Sequence, residues 1–355
     1  MNEFYKEEKL TAIQAQRLAQ EIAFAPVVFQ ISRLMVKFGI LQLLRENRNG
    51  LTMKEIAEKT GLSLYAVKIL LESSLTIGTV LRNEGKFTIA KAGYFLLTDK
   101  MVQVNMEFNH DVNYLGLFHL EEALLNGKPE GLKVFGEWNT IYEGLSQLPP
   151  QVQKSWFGFD HYYSDCSFAQ ALEIIFANKP KTLLDVGGNT GRFSTKCVEY
   201  DPQVHVTIMD LPQQLAMMRQ QTANLPARDR IHGHGANLLD PKTVFPTGFD
   251  VIMMSQFLDC FSNEEVISIL SRAAVAMSAD SRLFIMETIW DRQRFETASY
   301  CLAQISVYFT AMANGNSKMF NYEDLENNVH AAGLQIVKVY DDLGMGHAIL
   351  ELKII

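Results

Sequence analysis

The feature that most constrains this chain is an alternation of apolar runs and helical segments in its second half. The run Thr182-Leu-Leu-Asp-Val leads into a glycine-rich turn, and further apolar runs occupy residues 204–210, 249–254 and 281–287. Helical patterns at 191–199, 212–224 and 263–277 separate them. Alternating strands and helices predict a mainly parallel sheet with helices on both faces. Ligands of such sheets bind at the carboxyl ends of the strands, where we expect the functional site.

The glycine turn itself indicates a nucleoside ligand. Gly187 and Gly188 allow a ligand to approach the backbone closely, and Gly191 allows close packing of the next helix. Asp210 ends the following strand, where an acid can accept hydrogen bonds from both hydroxyls of a ribose. The spacing Asp-x-Gly-Gly-x-x-Gly differs from the Gly-x-Gly-x-x-Gly pattern of dinucleotide-binding proteins.

The first third of the chain predicts a winged-helix pattern. Residues 12–44 read as helix, with a break or kink at Pro26. Thr52 and Glu55 form a capping box at the start of a second helix, which Gly61 ends, and Ser63 starts a third. A short hairpin over 78–90, turning at 83–85, completes the pattern.

Two functions compete for this pattern, DNA reading and dimerisation. A DNA-reading helix carries Arg, Lys, Asn or Gln, whereas residues 62–77 offer Lys68 as their one cation. Residues 24–44 carry more apolar surface than one small domain needs, which favours burial against a second chain. We therefore expect a homodimer through the N-terminal domain and no nucleic acid.

Composition limits the ligands and the cellular location that we expect for this protein. The formal net charge of −8 argues against a general polyanion binder. The four cysteines lie far apart without a CxxC pair, so we expect reduced thiols and no metal site. Residues 1–10 lack a secretory pattern, and charges and glutamines interrupt the apolar stretch 24–44. We therefore expect a cytoplasmic protein that does not span a membrane.

Three segments together resemble the class I S-adenosylmethionine-dependent O-methyltransferases of the plant caffeate, flavonoid and hydroxyindole type. Leu184-Asp-Val-Gly-Gly-Asn-Thr-Gly resembles the cofactor loop of that family, and Asp210-Leu-Pro its ribose-binding strand end. Phe159-Asp-His-Tyr-Tyr-Ser-Asp-Cys-Ser is similar to the family segment Phe-Asn-x-x-Met-Ser-x-x-Ser. The resemblance implies an α/β fold: a Rossmann-like methyltransferase domain with a mainly helical N-terminal winged-helix dimerisation domain. The implied boundaries are 1–100 for the dimerisation domain, 101–178 for a helical linker and acceptor-pocket region, and 179–355 for the methyltransferase domain.

The resemblance also implies S-adenosylmethionine as cofactor and a set of residues that bind it. Ser167 would meet the methionine carboxylate of the cofactor, and Ala236 or Asn237 replaces an acid that meets the adenine. The implied cofactor-binding residues are Ser167, Asp185, Gly187, Gly188, Asp210, Leu211, Asn237, Leu238, Ser255 and Gln256.

Residues 100–177 are rich in aromatic side chains, which predicts a wall for a flat, largely apolar acceptor. Taken singly, each of these residues is more often part of a core than a ligand contact. In the resemblance Tyr163 takes the place of a methionine that touches acceptor and cofactor. The candidate acceptor-binding residues are His110, Phe118, Trp138, Phe159, Tyr162, Tyr163, Cys260 and Met312.

The chain departs from the family at the catalytic base. The family has Leu-His-Asp-Trp-Ser-Asp-Glu after the strand that corresponds to 249–254, with its His as general base. Here the segment is Leu258-Asp-Cys-Phe-Ser-Asn-Glu, so Asp259 stands at the His position. The glutamate that orients the His is present as Glu287, whereas a second one, expected near Met319, is missing. We take Asp259 and Glu287 as the candidate catalytic residues.

Three interpretations of this departure remain open. Asp259 is a base whose pKa burial and Glu287 raise; or the acceptor is acidic or nucleophilic at carbon, so that proximity suffices; or methyl transfer has been lost or replaced by another reaction of the same cofactor. O-methylation of an aromatic acceptor is the favoured function, with C-methylation or a metabolite-binding regulator as alternatives. A nicotinamide oxidoreductase is a rival on the same type of sheet, which the winged helix and the glycine spacing disfavour.

Overall fold

The computed structural model describes residues 3–355, which separate into two compact units, Tyr5–His110 and Asp111–Ile355. The predicted middle region, 101–178, begins within the first of these units and ends within the second, and its separate existence stays a prediction. Among residues 3–355 no single helix has the length and apolar character to cross a membrane. The helices Ala25–Lys37 and Ile40–Glu46 of the first unit meet both criteria only when taken together, across a 57° bend.

The first unit contains seven helices and a two-stranded hairpin. Its elements are α1 (Ala12–Ala23), α2 (Ala25–Lys37), α3 (Ile40–Glu46), α4 (Met53–Thr60), α5 (Leu64–Ile77), β1 (Val80–Asn83), β2 (Lys86–Ile89), α6 (Lys91–Thr98) and α7 (Lys100–Phe108). The break predicted at Pro26 is confirmed, because α1 ends at Ala23 and Pro26 occupies the first turn of α2.

The local signals of the winged helix are also confirmed. Thr52 and Glu55 cap α4 reciprocally, with the Thr52 amide donating to the Glu55 carboxylate at 2.7 Å. Ser63 caps α5, and β1 and β2 pair antiparallel around the predicted turn at 84–85. Helix α1 buries none of its residues, although Ile13 and Ile22 lie on it.

The second unit begins with short helices and continues as alternating strands and helices. The helices before the sheet are α8 (Leu120–Asn126), α9 (Ile141–Gly144), α10 (Pro150–Asp165) and α11 (Phe168–Ile175). The remaining elements are β3 (Thr182–Val186), α12 (Arg192–Tyr200), β4 (His205–Asp210), α13 (Pro212–Gln221), β5 (Ile231–Gly235), β6 (Val251–Ser255), α14 (Asn263–Ala276), β7 (Arg282–Thr288), α15 (Glu296–Tyr308), α16 (Tyr322–Ala331), β8 (Leu334–Leu343) and β9 (His347–Ile354).

The strands form a seven-stranded sheet in the order β5-β4-β3-β6-β7-β9-β8. Strands β3 to β7 are parallel, and β9 joins antiparallel to β7. Alternate residues of β6 enter two separate hydrophobic cores, with Ile252 and Met254 on one face and Val251 and Met253 on the other. Helices thus cover both faces, as the near-continuous apolar runs predicted, and the carboxyl ends of the five parallel strands meet at one edge.

Candidate active site

The glycine turn follows β3 and is shaped by its own neighbours. Gly187 has a φ of +72°, and a Cβ there would overlap the ring of Phe257. A Cβ on Gly188 would lie 2.7 Å from a carboxylate oxygen of Asp185. Both glycines are therefore required by packing inside the protein, a reason that the sequence interpretation, based on ligand approach alone, did not include.

Asp185 holds this turn to the helix that follows it. Its side chain is buried and accepts a hydrogen bond from the Ser194 hydroxyl on α12 at 2.6 Å. Burial raises the pKa of Asp185 to about 6, against the hydrogen bond from Ser194, which lowers it. The carboxyl group thus fixes the shape of the turn.

Asp210 ends β4 with both carboxylate oxygens in defined positions. One oxygen accepts the Asn189 amide at 2.8 Å and the other the Leu211 amide at 2.6 Å. Burial raises the pKa of Asp210, while these two amide groups oppose the rise. Because a carboxylate oxygen can accept more than one hydrogen bond, Asp210 retains acceptor capacity for two hydroxyl groups.

Two buried amide oxygens beside this edge have no hydrogen-bond partner among residues 3–355. They are Oδ1 of Asn189, in the glycine turn, and Oε1 of Gln256, directly after β6. Both residues have the left-handed backbone that side chains rarely adopt, with φ of +48° and +45°. Unsatisfied buried acceptors and local strain at the carboxyl ends of the strands are typical of a site that binds a polar ligand.

Glu287, in β7, lies fully buried behind the segment that follows β6. Its Oε1 accepts the backbone amides of Phe257 and Leu258 at 3.0 and 2.9 Å, whereas Oε2 has no partner among the described residues. Burial, followed by the charge of Asp259, raises the pKa of Glu287 well above its usual value. Through the two amide hydrogen bonds to Oε1, Glu287 holds the loop that carries Asp259.

Asp259 lies in the short helical turn Leu258–Cys260 and is only 5% exposed. Its carboxylate accepts a long 3.5 Å hydrogen bond from the Cys260 thiol, whose sulfur accepts one from the Tyr142 hydroxyl at 3.1 Å. Burial raises the pKa of Asp259 to about 6. The predicted capping box of Ser262 and Glu265 is confirmed at the start of α14, so the alignment of this segment is sound.

Helix α10 and helix α15 carry aromatic groups near these carboxyl groups. The Trp156 indole donates a hydrogen bond to the Tyr308 hydroxyl at 2.7 Å. The rings of Phe159 and Tyr163 lie 4.9 Å apart, and Tyr162 packs edge-on against Tyr163 at 5.6 Å. The edge of the sheet thus combines polar groups from its strands with an aromatic helix.

Comparison with protein families decides between the rival interpretations of this edge. A model described as an O-methyltransferase domain matches residues 118–335, and one described as a Dimerisation2-like domain matches residues 16–87. The chain belongs to the O-methyltransferase family. It is an S-adenosylmethionine-dependent methyltransferase, as the sequence resemblance predicted, and the oxidoreductase alternative is set aside.

Named relatives of this methyltransferase act at oxygen or at carbon. The L-tyrosine C(3)-methyltransferase of Streptomyces lavendulae is 24% identical over 316 residues, covering 88% of this chain and 85% of the relative. The demethylspheroidene O-methyltransferase of Cereibacter sphaeroides is 25% identical over 319 residues, covering 88% and 80%.

Solved structures share the fold. The mitomycin 7-O-methyltransferase MmcR has a TM-score of 0.71 at 18% identity, covering 96% of this chain and 98% of that one. The O-methyltransferase NcsB1, solved with S-adenosylmethionine and a naphthoic acid, has a TM-score of 0.67 at 16% identity, covering 92% and 96%.

Three predicted acceptor-binding residues of this methyltransferase lie in surroundings that the sequence did not predict, and their contact with the acceptor stays a prediction. Phe118 is 84% exposed and does not wall an enclosed pocket within one chain. Met312 is fully buried, with its sulfur packed on Gly116 and Gly131. The Trp138 ring is packed against Gly136 and Gly144, so it covers backbone. The density of aromatic residues indicated this region of the chain, but it did not indicate what each side chain packs against. His110 ends the N-terminal unit, and its place in an acceptor wall stays a prediction.

Three predicted cofactor-binding residues have partners or packing within the protein, and their contact with the cofactor stays a prediction. The Ser167 side chain is fully buried, and its hydroxyl lies 2.8 Å from Nδ1 of His347. Leu238 is buried in the core cluster on one face of the sheet. Asn237 is exposed, and its carboxamide oxygen accepts the Leu239 amide at 3.0 Å, which makes it a turn residue.

The sequence interpretation missed Asp160. This residue of α10 is half-buried, lies one turn after the buried Trp156 and precedes the buried Tyr163 by three positions. Burial and the charge of Asp259 raise the pKa of Asp160 to about 7. The helical spacing of 156, 160 and 163 is the signal that could have identified it, because it places the three residues on one face.

Proposed function

We propose that this methyltransferase methylates a small aromatic acceptor, with oxygen as the favoured nucleophile. The observation that carries the proposal is the position of Asp259, which is buried, opposite the aromatic helix α10 and supported by Glu287. In the sequence resemblance this is the position of the catalytic base, and the acceptor of NcsB1 is a naphthoic acid.

The cofactor is assigned to the carboxyl ends of β3, β4 and β6. Asp210 would accept the ribose hydroxyls, while Asn189 and Gln256 offer their unpartnered amide oxygens to polar hydrogens. Leu211 and Ser255 border the same edge, and Asp185, Gly187 and Gly188 give the turn its shape. When bound, S-adenosylmethionine supplies an electrophilic methyl group, and the protein supplies alignment and charge.

Asp259 is proposed to take the proton that the acceptor loses. With a pKa of about 6 it is mostly a carboxylate at pH 7, and it is a stronger base than an exposed aspartate. The raised pKa of Glu287 favours its uncharged form, which limits the negative charge beside Asp259. A positioned base contributes roughly 10²–10⁴ in rate.

Methylation at carbon is the second candidate, favoured by the missing histidine. An acceptor whose ring carbon is the nucleophile loses its proton after the carbon–methyl bond has formed, when that proton is acidic enough for a carboxylate. Two relatives are carbon methyltransferases, acting on L-tyrosine and on bacteriochlorophyllide d.

The test is a panel of phenols and aromatic acids incubated with methyl-labelled S-adenosylmethionine, with products separated by mass and by NMR. Methoxy and ring-methyl signals distinguish the two candidates. The Asp259→Asn variant should lose tenfold or more in turnover with unchanged cofactor affinity. Asp280→Asn, which removes an exposed carboxylate, is the control. Full turnover in Asp259→Asn would remove Asp259 from the mechanism, and the absence of any labelled product would contradict the proposal.

The Dimerisation2-like match supports a homodimer. Helix α1 is proposed as part of its interface, because its apolar residues Ile13, Leu18 and Ile22 are all exposed within one chain.

A further inference from the structure

Asp160, on the aromatic helix α10, is a carboxyl group without a hydrogen-bond donor within residues 3–355. No residue in the described part of the chain donates a hydrogen bond to it, although it is half-buried. It shares a helical face with Trp156 and Tyr163, both buried. Burying a carboxylate without a partner is unfavourable, so this position calls for a compensating group.

The charges around Asp160 do not supply that group. Asp259 and Asp165 are the acids whose charges act on it, and Arg192 is the one cation that does. The Arg192 guanidinium donates two hydrogen bonds to Asp165. One runs from Nε and one from a terminal nitrogen, each to a different carboxylate oxygen. The guanidinium is thereby committed to another carboxylate, and a net negative charge remains at Asp160.

A second observation comes from the buried acids behind it. Asp259 is almost fully buried, and within residues 3–355 the one side chain that donates a hydrogen bond to it is the Cys260 thiol, at 3.5 Å. Oε2 of the fully buried Glu287 receives none from the same residues. No cation contributes to the environment of either group. The site therefore contains three carboxyl groups with unused acceptor capacity and no positive charge of its own.

The cation that fits this site is organic. No group of three His, Cys, Asp or Glu side chains within the described residues has the arrangement that a metal ion requires. The Trp156 and Tyr308 rings flank the acids, and aromatic faces attract ammonium groups. The sulfonium of the cofactor is a poor match, because a carboxylate beside it would stabilise the charge that is lost in the transition state.

We propose that the acceptor carries a protonated amine and that Asp160 binds it. This inference rests on the proposed function, because it assigns the substrate class of the same site. The ammonium group serves as an anchor and is not the atom that is methylated, since a protonated nitrogen has no lone pair to attack. Asp160 then sets the orientation of the aromatic ring relative to Asp259.

The test compares two phenols of similar size, tyramine and 4-propylphenol, one with a protonated amine at pH 8 and one without charge. Binding is measured by calorimetry on the full chain with saturating S-adenosylhomocysteine. We expect the wild type to bind tyramine at least tenfold more tightly, about 1.4 kcal/mol. Asp160→Asn and Asp160→Ser should reduce the ratio of the two affinities to near one. Glu173→Gln, which removes an exposed charge on α11, should retain it.

Two results would overturn the proposal: equal affinity for the two phenols in the wild type, or a preference for tyramine that survives both Asp160 variants. A loss of S-adenosylhomocysteine affinity in the Asp160 variants would overturn it too, because Asp160 would then face the cofactor. Failure of the proposed function is distinguishable, since it appears as an absence of methyl transfer whatever the affinity ratio.

Discussion

The Asp160→Asn substitution should make the protein more stable at alkaline pH. The pKa of Asp160 is raised from 3.8 to about 7 in the folded chain, chiefly by burial. An acid with a raised pKa costs nothing below its unfolded value, and its cost grows as the pH rises towards the folded value. Asparagine has nearly the same shape and carries no charge, so the variant avoids this cost above pH 7.

The size of the effect follows from the shift. Each pKa unit corresponds to 1.36 kcal/mol, so a shift of about three units gives roughly 4 kcal/mol as an upper bound. Because Asp160 is only half-buried, solvent screening reduces this to about 2 kcal/mol. For a unit of this size the corresponding rise in Tm is about 4 °C.

The stability difference between the wild type and Asp160→Asn is measured by thermal and denaturant unfolding at pH 4.5 and pH 8. The stability gain of Asp160→Asn should be clearly larger at pH 8 than at pH 4.5, where only part of the cost is present, and Glu173→Gln should follow the wild type at both. A variant less stable than the wild type at pH 8 would refute the reasoning, because it would mean that the carboxylate has a partner inside the protein. A constant difference at both pH values would refute it as well.

Three further predictions concern the cofactor, the base and the dimer. Asp210→Ala should weaken S-adenosylhomocysteine binding by about 1.5 kcal/mol or more in calorimetry, since charge-assisted hydrogen bonds are lost; wild-type affinity would contradict the ribose assignment. Asp259→His should give Oε2 of Glu287 a donor and raise the rate of phenol methylation at pH 7, where imidazole is the better base; no gain would argue against a base-limited reaction. Ile22→Asp should shift the dimer to monomer in light scattering, whereas Gln16→Asp on the same helix should not.

Local sequence signals predicted local structure reliably. Both capping boxes, Thr52 with Glu55 and Ser262 with Glu265, and the break at Pro26 are present, because each depends on a few adjacent residues. The four apolar strands were found for the same reason. Strand β5, Ile-His-Gly-His-Gly, was missed, because only one of its five residues is apolar and the strand lies at the edge of the sheet.

Long-range packing sets the surroundings of several candidate site residues. Met312 fills the space above two glycines far away in the sequence, and Ser167 is covered by the turn between β8 and β9, which brings His347 to it. Neither contact has a local signature. By contrast, the resemblance to the family selected Asp259 and Glu287, both of which are buried carboxyl groups whose catalytic roles stay a prediction. The sequence can therefore locate this site better than it can state which side chains face the ligand.

The buried acids also bear on whether this site still works. A chain that no longer bound a ligand would gain stability from a neutral residue at Asp160 or Asp259, because each carboxyl group is desolvated without a cation beside it. Glu287 alone could be explained by the loop that its Oε1 holds, but that role leaves Oε2 without a use. Three such groups on one side of an aromatic helix are costly to the fold, and costs of this kind concentrate where a protein acts on its ligand. The arrangement therefore favours an active methyltransferase over a degenerate one, with carboxylates in place of the histidine.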